Sequence, residues 1–371
     1  MSSIFESSPK IEFKKDRVFQ SNDDVLIGTI EPIYVDQKNR VFIGDTDQTR
    51  IHVFESNGEY LTSLGQEGRG PGDYSAISWR TTIISDSEML YITDSYHFNP
   101  RRANVYTLDN LSFSHVQKLY PENIDEYDFL KTYAPIRLFP LKEGSFLVPY
   151  SRELHMVSSG EGHIYYLRQD KSGKILSKPI YKQSGPRYLI EIVRAGNREM
   201  EVMHTFPFHG SSIFAPSPNG NFYAAKTEEF KIDVLDSEGR YVRTIEKPFD
   251  NIPLNKEMLI KEYEETNYMP QLGDGVAVKM LKKADDLPTK WPALKSMLVD
   301  DEGRLWVSTL VDNTEIYKWW ILKPSGEVIS KLEWSRDKPI QQIRNGYLYT
   351  KEKDMEGADV VVRYSIKIEK N

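Results

Sequence analysis

Apolar and polar positions alternate through residues 33–65, IYVDQKNRVFIGDTDQTRIHVFESNGEYLTSLG, in four short runs: IYVD, RVFIGD, RIHVFES and EYLTSLG. Val, Ile, Phe and Tyr fill the runs, and turn-forming residues fill the gaps between them, as in strands joined by tight turns. Asn57-Gly58 between two runs marks a hairpin, because a primed two-residue turn needs positive φ at its centre. The stretch predicts one antiparallel, four-stranded meander. A lone meander buries too little to be stable, so copies of it must pack on one another.

Such copies run the length of the chain. The second strand recurs as RVFIGD (40–45), MLYITD (89–94), SFLVPY (145–150), NFYAAK (221–226), RLWVST (304–309) and GYLYTK (346–351). The hairpin that follows recurs as well, with Gly58, Gly173, Gly239 and Gly326 at one place in its turn and Asn110 there in the second copy. The sixth copy ends without a fourth strand, while IEFKKDRVFQ (11–20) is a spare strand ahead of the first. Pairing 11–20 with 360–368 completes the sixth unit and closes a ring, which removes the edges an open array leaves exposed. The fold class expected is therefore all-β: a single six-bladed β-propeller over residues 1–371, with 1–10 as a flexible tail. An open solenoid would need capping repeats and would explain neither the spare strand nor the missing one.

Four segments depart from the repeat. Residues 21–28 are expected to add a short strand. The Gly-rich loop 65–74 lacks the lysine and hydroxyl of a phosphate loop and reads as a crossover between blades, with its glycines at positive φ. Residues 182–209 read as an extra hairpin turning at Ala195-Gly196-Asn197. Residues 247–294 contain a helix at 255–269, capped by Asn255 with Met258, Leu259, Glu262 and Tyr263 on one stripe, and a second helix at 276–283. Both long insertions follow the outer strand of a blade. They would lie over one face on either side of blade four, as a lid.

The 48 basic and 55 acidic residues give a net charge of −7, which argues against a general affinity for nucleic acid or acidic membranes. No apolar run approaches the roughly 18 residues of a membrane span. The absence of cysteine excludes disulfides, thiolate metal sites and cysteine nucleophiles. The polar, Ser-rich start MSSIFESSPK reads as a tether, with Met1 standing where a surface lipoprotein would carry a lipidated cysteine. An extracytoplasmic location follows from that reading; the cytoplasm is the alternative.

Propeller ligands are expected on the face formed by the loops between second and third strands and between blades. Asp45, Asp47 and Arg50 of the first unit fall there, as do Tyr96, His97, Arg101 and Arg102 of the second and Tyr150, Arg152 and His155 of the third. Arginines, histidines and tyrosines so grouped would grip an anionic substrate such as an acidic sugar. The seven histidines include no HExxH pair; His97, His155 and His209 are the set that folding could bring together on a divalent cation, Ca²⁺ or Zn²⁺. No other cofactor is evident. Asp45-Thr46-Asp47 starts but does not complete a calcium loop, and GxSxG is absent.

The segment DQKNRVFIGDTDQTRIHVFESNGEYLTSLGQEGRGPGDY (36–74) resembles the NHL-related six-bladed propellers of Bacteroidetes and related bacteria, and residues 292–329 are similar to their later repeats. The resemblance covers nearly the whole chain and implies the fold, together with export as a lipoprotein. Related gluconolactonase-type propellers hold a divalent cation on a first-strand Glu, a place that Glu31 occupies here without the partnering asparagines. The preferred function is a non-catalytic propeller that binds a small molecule, glycan, peptide or protein through its loop face at the central channel, as a monomer. The alternative is a metal-assisted hydrolase or lyase at the channel mouth using His97, His155, Arg101 and Arg152. A scaffold that uses the sides of the propeller is a third.

Overall fold

The computed structural model describes residues 11–94, 101–141, 143–152, 163–185, 188–195, 198–206, 208–266, 275–285 and 287–368. The spare strand β1 (Ile11–Phe19) comes first. Blade one is β2 (Ile30–Val35), β3 (Val41–Asp45), β4 (Arg50–Phe54) and β5 (Tyr60–Leu64); blade two is β6 (Ile83–Ser85), β7 (Met89–Asp94), β8 (Arg102–Thr107) and β9 (Phe113–Lys118). Blade three splits its inner strand into β10 (Tyr133–Pro135) and β11 (Phe139–Pro140), followed by β12 (Phe146–Arg152), β13 (His163–Gln169) and β14 (Tyr181–Ser184). The hairpin β15 (Leu189–Ala195) and β16 (Arg198–His204) stands apart from any blade. Blade four is β17 (Ser212–Pro216), β18 (Phe222–Lys226), β19 (Lys231–Leu235) and β20 (Tyr241–Glu246), and the helices α1 (Lys256–Thr266) and α2 (Val276–Lys283) follow it. Blade five is β21 (Leu294–Val299), β22 (Leu305–Thr309), β23 (Ile316–Leu322) and β24 (Val328–Ser335). Blade six is β25 (Ile340–Arg344), β26 (Tyr347–Lys353) and β27 (Asp359–Ile368), completed by β1.

Closure occurs as the repeat count requires. β1 pairs antiparallel with β27 from Ile11↔Ile368 to Phe19↔Val361, and Arg363 pairs with Asp16 at a bulge in that ladder. Six apolar clusters each join two neighbouring blades, one per interface, and the cluster around Phe19, Ile30 and Tyr349 joins the last blade to the first. A seventh cluster lies wholly in the two insertions.

Turn chemistry explains the punctuation. Gly58, Gly173, Gly239 and Gly326 all take positive φ, which costs a glycine little. In blade two the turn is one residue longer, Tyr106 pairing with Phe113 where Phe54 pairs with Tyr60. The positive φ therefore falls on Leu111 rather than Asn110; the Asn110 side chain accepts from the Ser112 N–H instead. Asp36 and Asp300 open their turns by accepting the backbone N–H and side-chain Nε of Arg40 and Arg304. The expected strand at 21–28 does not form. Asn22 accepts from the N–H groups of Asp24 and Val25, and Ser21 Oγ from that of Ile27, local bonds that compete with extended pairing.

Candidate functional site: a cleft beside blade four

In an antiparallel four-stranded blade the loop between the second and third strands and the crossover to the next blade emerge on the same face. Both insertions are crossovers, one before β17 and one after β20, so both stand on that face and flank blade four. They pack on each other through Phe206, Phe208, Leu259, Tyr263, Val278 and Leu281, all buried. Asn255 caps α1 by accepting from the N–H groups of Glu257 and Met258. Of the expected stripe, Leu259 and Tyr263 are buried, but Met258 is 69% exposed. Lys282 pairs with Glu264 of α1 and Lys283 with Glu191 of β15, so α2 is tied to both neighbours.

The ends of the helical insertion are zipped together. Leu254 N–H donates to the Thr289 carbonyl, and Trp291 N–H to that of Ile252. Asn251 then fastens this base to the blade: its Nδ2 donates to the carbonyls of Glu228 (2.9 Å) and Trp291 (2.8 Å).

Between these parts lies a cleft of about 550 Å³. One wall is Phe208, His209 and Gly210 from the hairpin insertion; another is Asn251 with residues 288–292; the floor is Ser211, Ser212, Lys226, Glu228 and Glu229 of blade four. Phe208 is buried and meets His209 and Trp291 edge-on, at centroid distances of 4.7 and 6.2 Å. A Cβ on Gly210 would fall 1.8 Å from Glu228 Oε1, so the glycine gives the carboxylate its place. Lys226, Glu228 and Glu229 are exposed, and these three and Lys290 form no ion pair with any described residue. His204 lies behind the wall against Phe206 and Tyr263; burial, then the neighbouring His209, lowers its pKa, so it is neutral at physiological pH.

Seven of the ten residues singled out from the sequence are described, and none of the seven lines this cleft. Tyr96, His97 and His155 lie outside the described residues. Asp45 is fully buried and accepts from the N–H groups of Gly28, Asp47 and Gln48 and from His52. Asp47 accepts from the N–H and hydroxyl of Thr29, and Arg50 faces Asp45 across the ladder. Arg102 binds Asp94 and the carbonyls of Arg69 and Asp73, which fixes the crossover 65–74. Tyr150 is buried and donates to the Leu119 carbonyl while accepting from Gln169. Arg101 lies over Tyr120 and Arg152 over Tyr133, at 5.6 and 6.0 Å. The contacts of these seven are with their own blades and the crossovers beside them. Glu31 lies in β2 at a bulge, and no group of three or more His, Asp or Glu among the described residues is placed to hold a metal.

Sequence reading missed the charged corner Lys226–Glu229 and Asn251. The signals that pointed here were the two insertions, expected over one face on either side of blade four, and His209, which lines the cleft.

The family model of the DUF5128 six-bladed beta-propellers matches residues 18–215. A crystal structure of a protein from Bacteroides fragilis inferred to be exported superposes with a TM-score of 0.54 at 14% identity, covering 99% of this chain and 97% of that one. A DUF4221 family member from Bacteroides vulgatus gives 0.52 at 11% identity, covering 97% and 99%. At such identities the likeness extends to the fold. No curated protein matches the sequence.

Proposed function

The chain belongs to the DUF5128 family of six-bladed beta-propellers, and from that premise we propose that it is a binding protein that takes a carbohydrate in the cleft beside blade four. The observation that carries this is the set of open polar groups in one concavity. Two lysines and two carboxylates with no ion-pair partner among the described residues line the cleft together with Trp291. Sugar recognition needs donors and acceptors held by a scaffold rather than by each other, together with a flat apolar surface. Phe208, Gly210 and Asn251 hold the walls in place, so little ordering cost remains on binding.

Binding rather than catalysis fits the two histidines, which are built into the aromatic packing of the insertions. No described helix is long and apolar enough to cross a membrane, and one similar structure belongs to a protein inferred to be exported; both suit a location outside the cytoplasm, where glycans are met.

The test is a glycan screen followed by calorimetry. A saturable sugar ligand whose affinity falls at least about tenfold in Trp291→Ala supports the reading. Sugar binding untouched by Trp291→Ala, or breakdown of the sugar in the cell, would replace it, the latter with a hydrolase or lyase.

A further inference from the structure

The cleft beside blade four carries charge of both signs, and its floor and wall are tied at one point. Lys226, Glu228 and Glu229 line the floor, and Lys290 lines the wall that ends in Trp291. Asn251 joins the two with a single amide, its Nδ2 donating to the Glu228 carbonyl at 2.9 Å and to the Trp291 carbonyl at 2.8 Å. Those carbonyls are thus one side chain apart, with Glu229 following the first and Lys290 preceding the second.

Both chains are held firmly there. Between Lys226 and Glu228, Thr227 is buried; its N–H donates to the Ser211 carbonyl, its hydroxyl accepts the Ser211 N–H and its carbonyl accepts the Leu294 N–H. Lys290 bridges to Pro253 between the two hydrogen bonds that zip the ends of the helical insertion. The Glu228 carboxylate rests against Gly210. Opposite charges at such spacing ordinarily pair, yet none of these four does so with any described residue, although Lys226 and Glu228 are two residues apart. A ligand with one charge would satisfy one sign and be repelled by the other. A neutral ligand would strip water from both signs and give neither an ionic partner. A ligand that carries both signs meets both.

We propose that the ligand of the cleft is a zwitterionic sugar, its free amino group taken by Glu228 and Glu229 and its carboxylate by Lys226 and Lys290. The proposal rests on the sugar reading of the cleft and adds the charge pattern of the ligand to it. An ammonium on a carboxylate and a carboxylate on an ammonium are charge-assisted hydrogen bonds, stronger than those a hydroxyl makes at the same places. Sugars that lack either charge are also selected against, because they leave one pair of protein charges unanswered in the cleft.

Calorimetric titration at constant ionic strength tests it, with muramic acid as the zwitterion, N-acetylmuramic acid and glucuronate as anions, glucosamine as the cation and glucose as the neutral sugar. β-Alanine serves as a zwitterion without a ring. The expected result is saturable binding of muramic acid, roughly tenfold or more tighter than any of the others. Glu228→Gln should erase the preference for muramic acid over N-acetylmuramic acid, and Lys226→Gln or Lys290→Gln the preference over glucosamine, with the unfolding temperature kept in all three. A neutral or singly charged sugar bound as tightly as muramic acid, and lost in Trp291→Ala, overturns this proposal and leaves the sugar reading standing. β-Alanine bound as tightly as muramic acid gives the ring no part and overturns both. No saturable binding of muramic acid overturns the proposal, and the sugar reading falls with it if the glycan screen is blank as well.

Discussion

Blades one and two handle the corner between second and third strands in the opposite way from blade four. Asp45, Asp94 and Lys226 end the second strands of these blades, and the chain around them is held alike: Thr46 and Thr227 donate their N–H groups to the carbonyls of Thr29 and Ser211. In blades one and two the Asp carboxylate takes up the incoming crossover, Gly28 donating to Asp45 and Ser75 to Asp94. An arginine stands across the ladder from each. In blade four the Thr227 hydroxyl accepts the Ser211 N–H at 2.8 Å, and Lys226, Glu228 and Glu229 are left open to the cleft. One backbone frame thus consumes its charges in two blades and exposes them in a third. The difference separates structure from recognition, and residue type alone does not show it.

Four expectations test the contrast, taken from the largest effect down. Asp45→Ala strands three backbone donors and His52, and should cost about 3 kcal/mol in chemical unfolding; a change below about 0.5 kcal/mol would mean that this corner is not architectural. The same carboxylate sets a pH dependence. Burial pushes its pKa up, but bonds from His52 and from the N–H groups of Gly28, Gln48 and Asp47 outweigh that and hold it below the ordinary value. A depressed folded pKa gives stability that is present above the unfolded value of about 4 and lost as pH falls through the folded one. Unfolding free energy should therefore decline below about pH 4, and more shallowly in Asp45→Asn.

Asn251→Ala removes two hydrogen bonds at the base of the helical insertion, with an expected loss of about 1 kcal/mol and a larger fall in ligand affinity because the Trp291 wall is released. Affinity unchanged in that variant would show that the wall is held otherwise. Gly210→Ala displaces the exposed Glu228 side chain from its Cγ outward, so its effect on stability should stay within about 0.5 kcal/mol while binding weakens in calorimetry.

The ring was legible in the sequence because its information is local. Hairpin turns with glycine at one register position, short runs of β-branched and aromatic residues, and a spare strand opposite a missing one all survive without knowledge of contacts. The second insertion was legible too, since helix period and the Asn255 cap are local. The site was not. Its walls come from residues 184–185, 208–212, 226, 228–229, 251 and 288–292, which only the packing of two insertions assembles. Selection by residue type chose Asp45, Arg102 and Tyr150, whose several hydrogen-bonding positions serve a crossover as well as they would serve a ligand. Sequence carries no mark of whether a carboxylate has already found its partners. Where the strand at 21–28 failed, the cause was of the same kind: side chains satisfied the backbone that pairing would have used.

The most direct test of the account is the paired measurement of thermal unfolding and sugar affinity in Glu228→Gln. An unfolding temperature within about 1 °C of the wild-type value, with affinity weakened roughly tenfold, is the predicted result. A large drop in unfolding temperature, or a full retention of affinity, would place Glu228 among the architectural charges and contradict the assignment of the cleft.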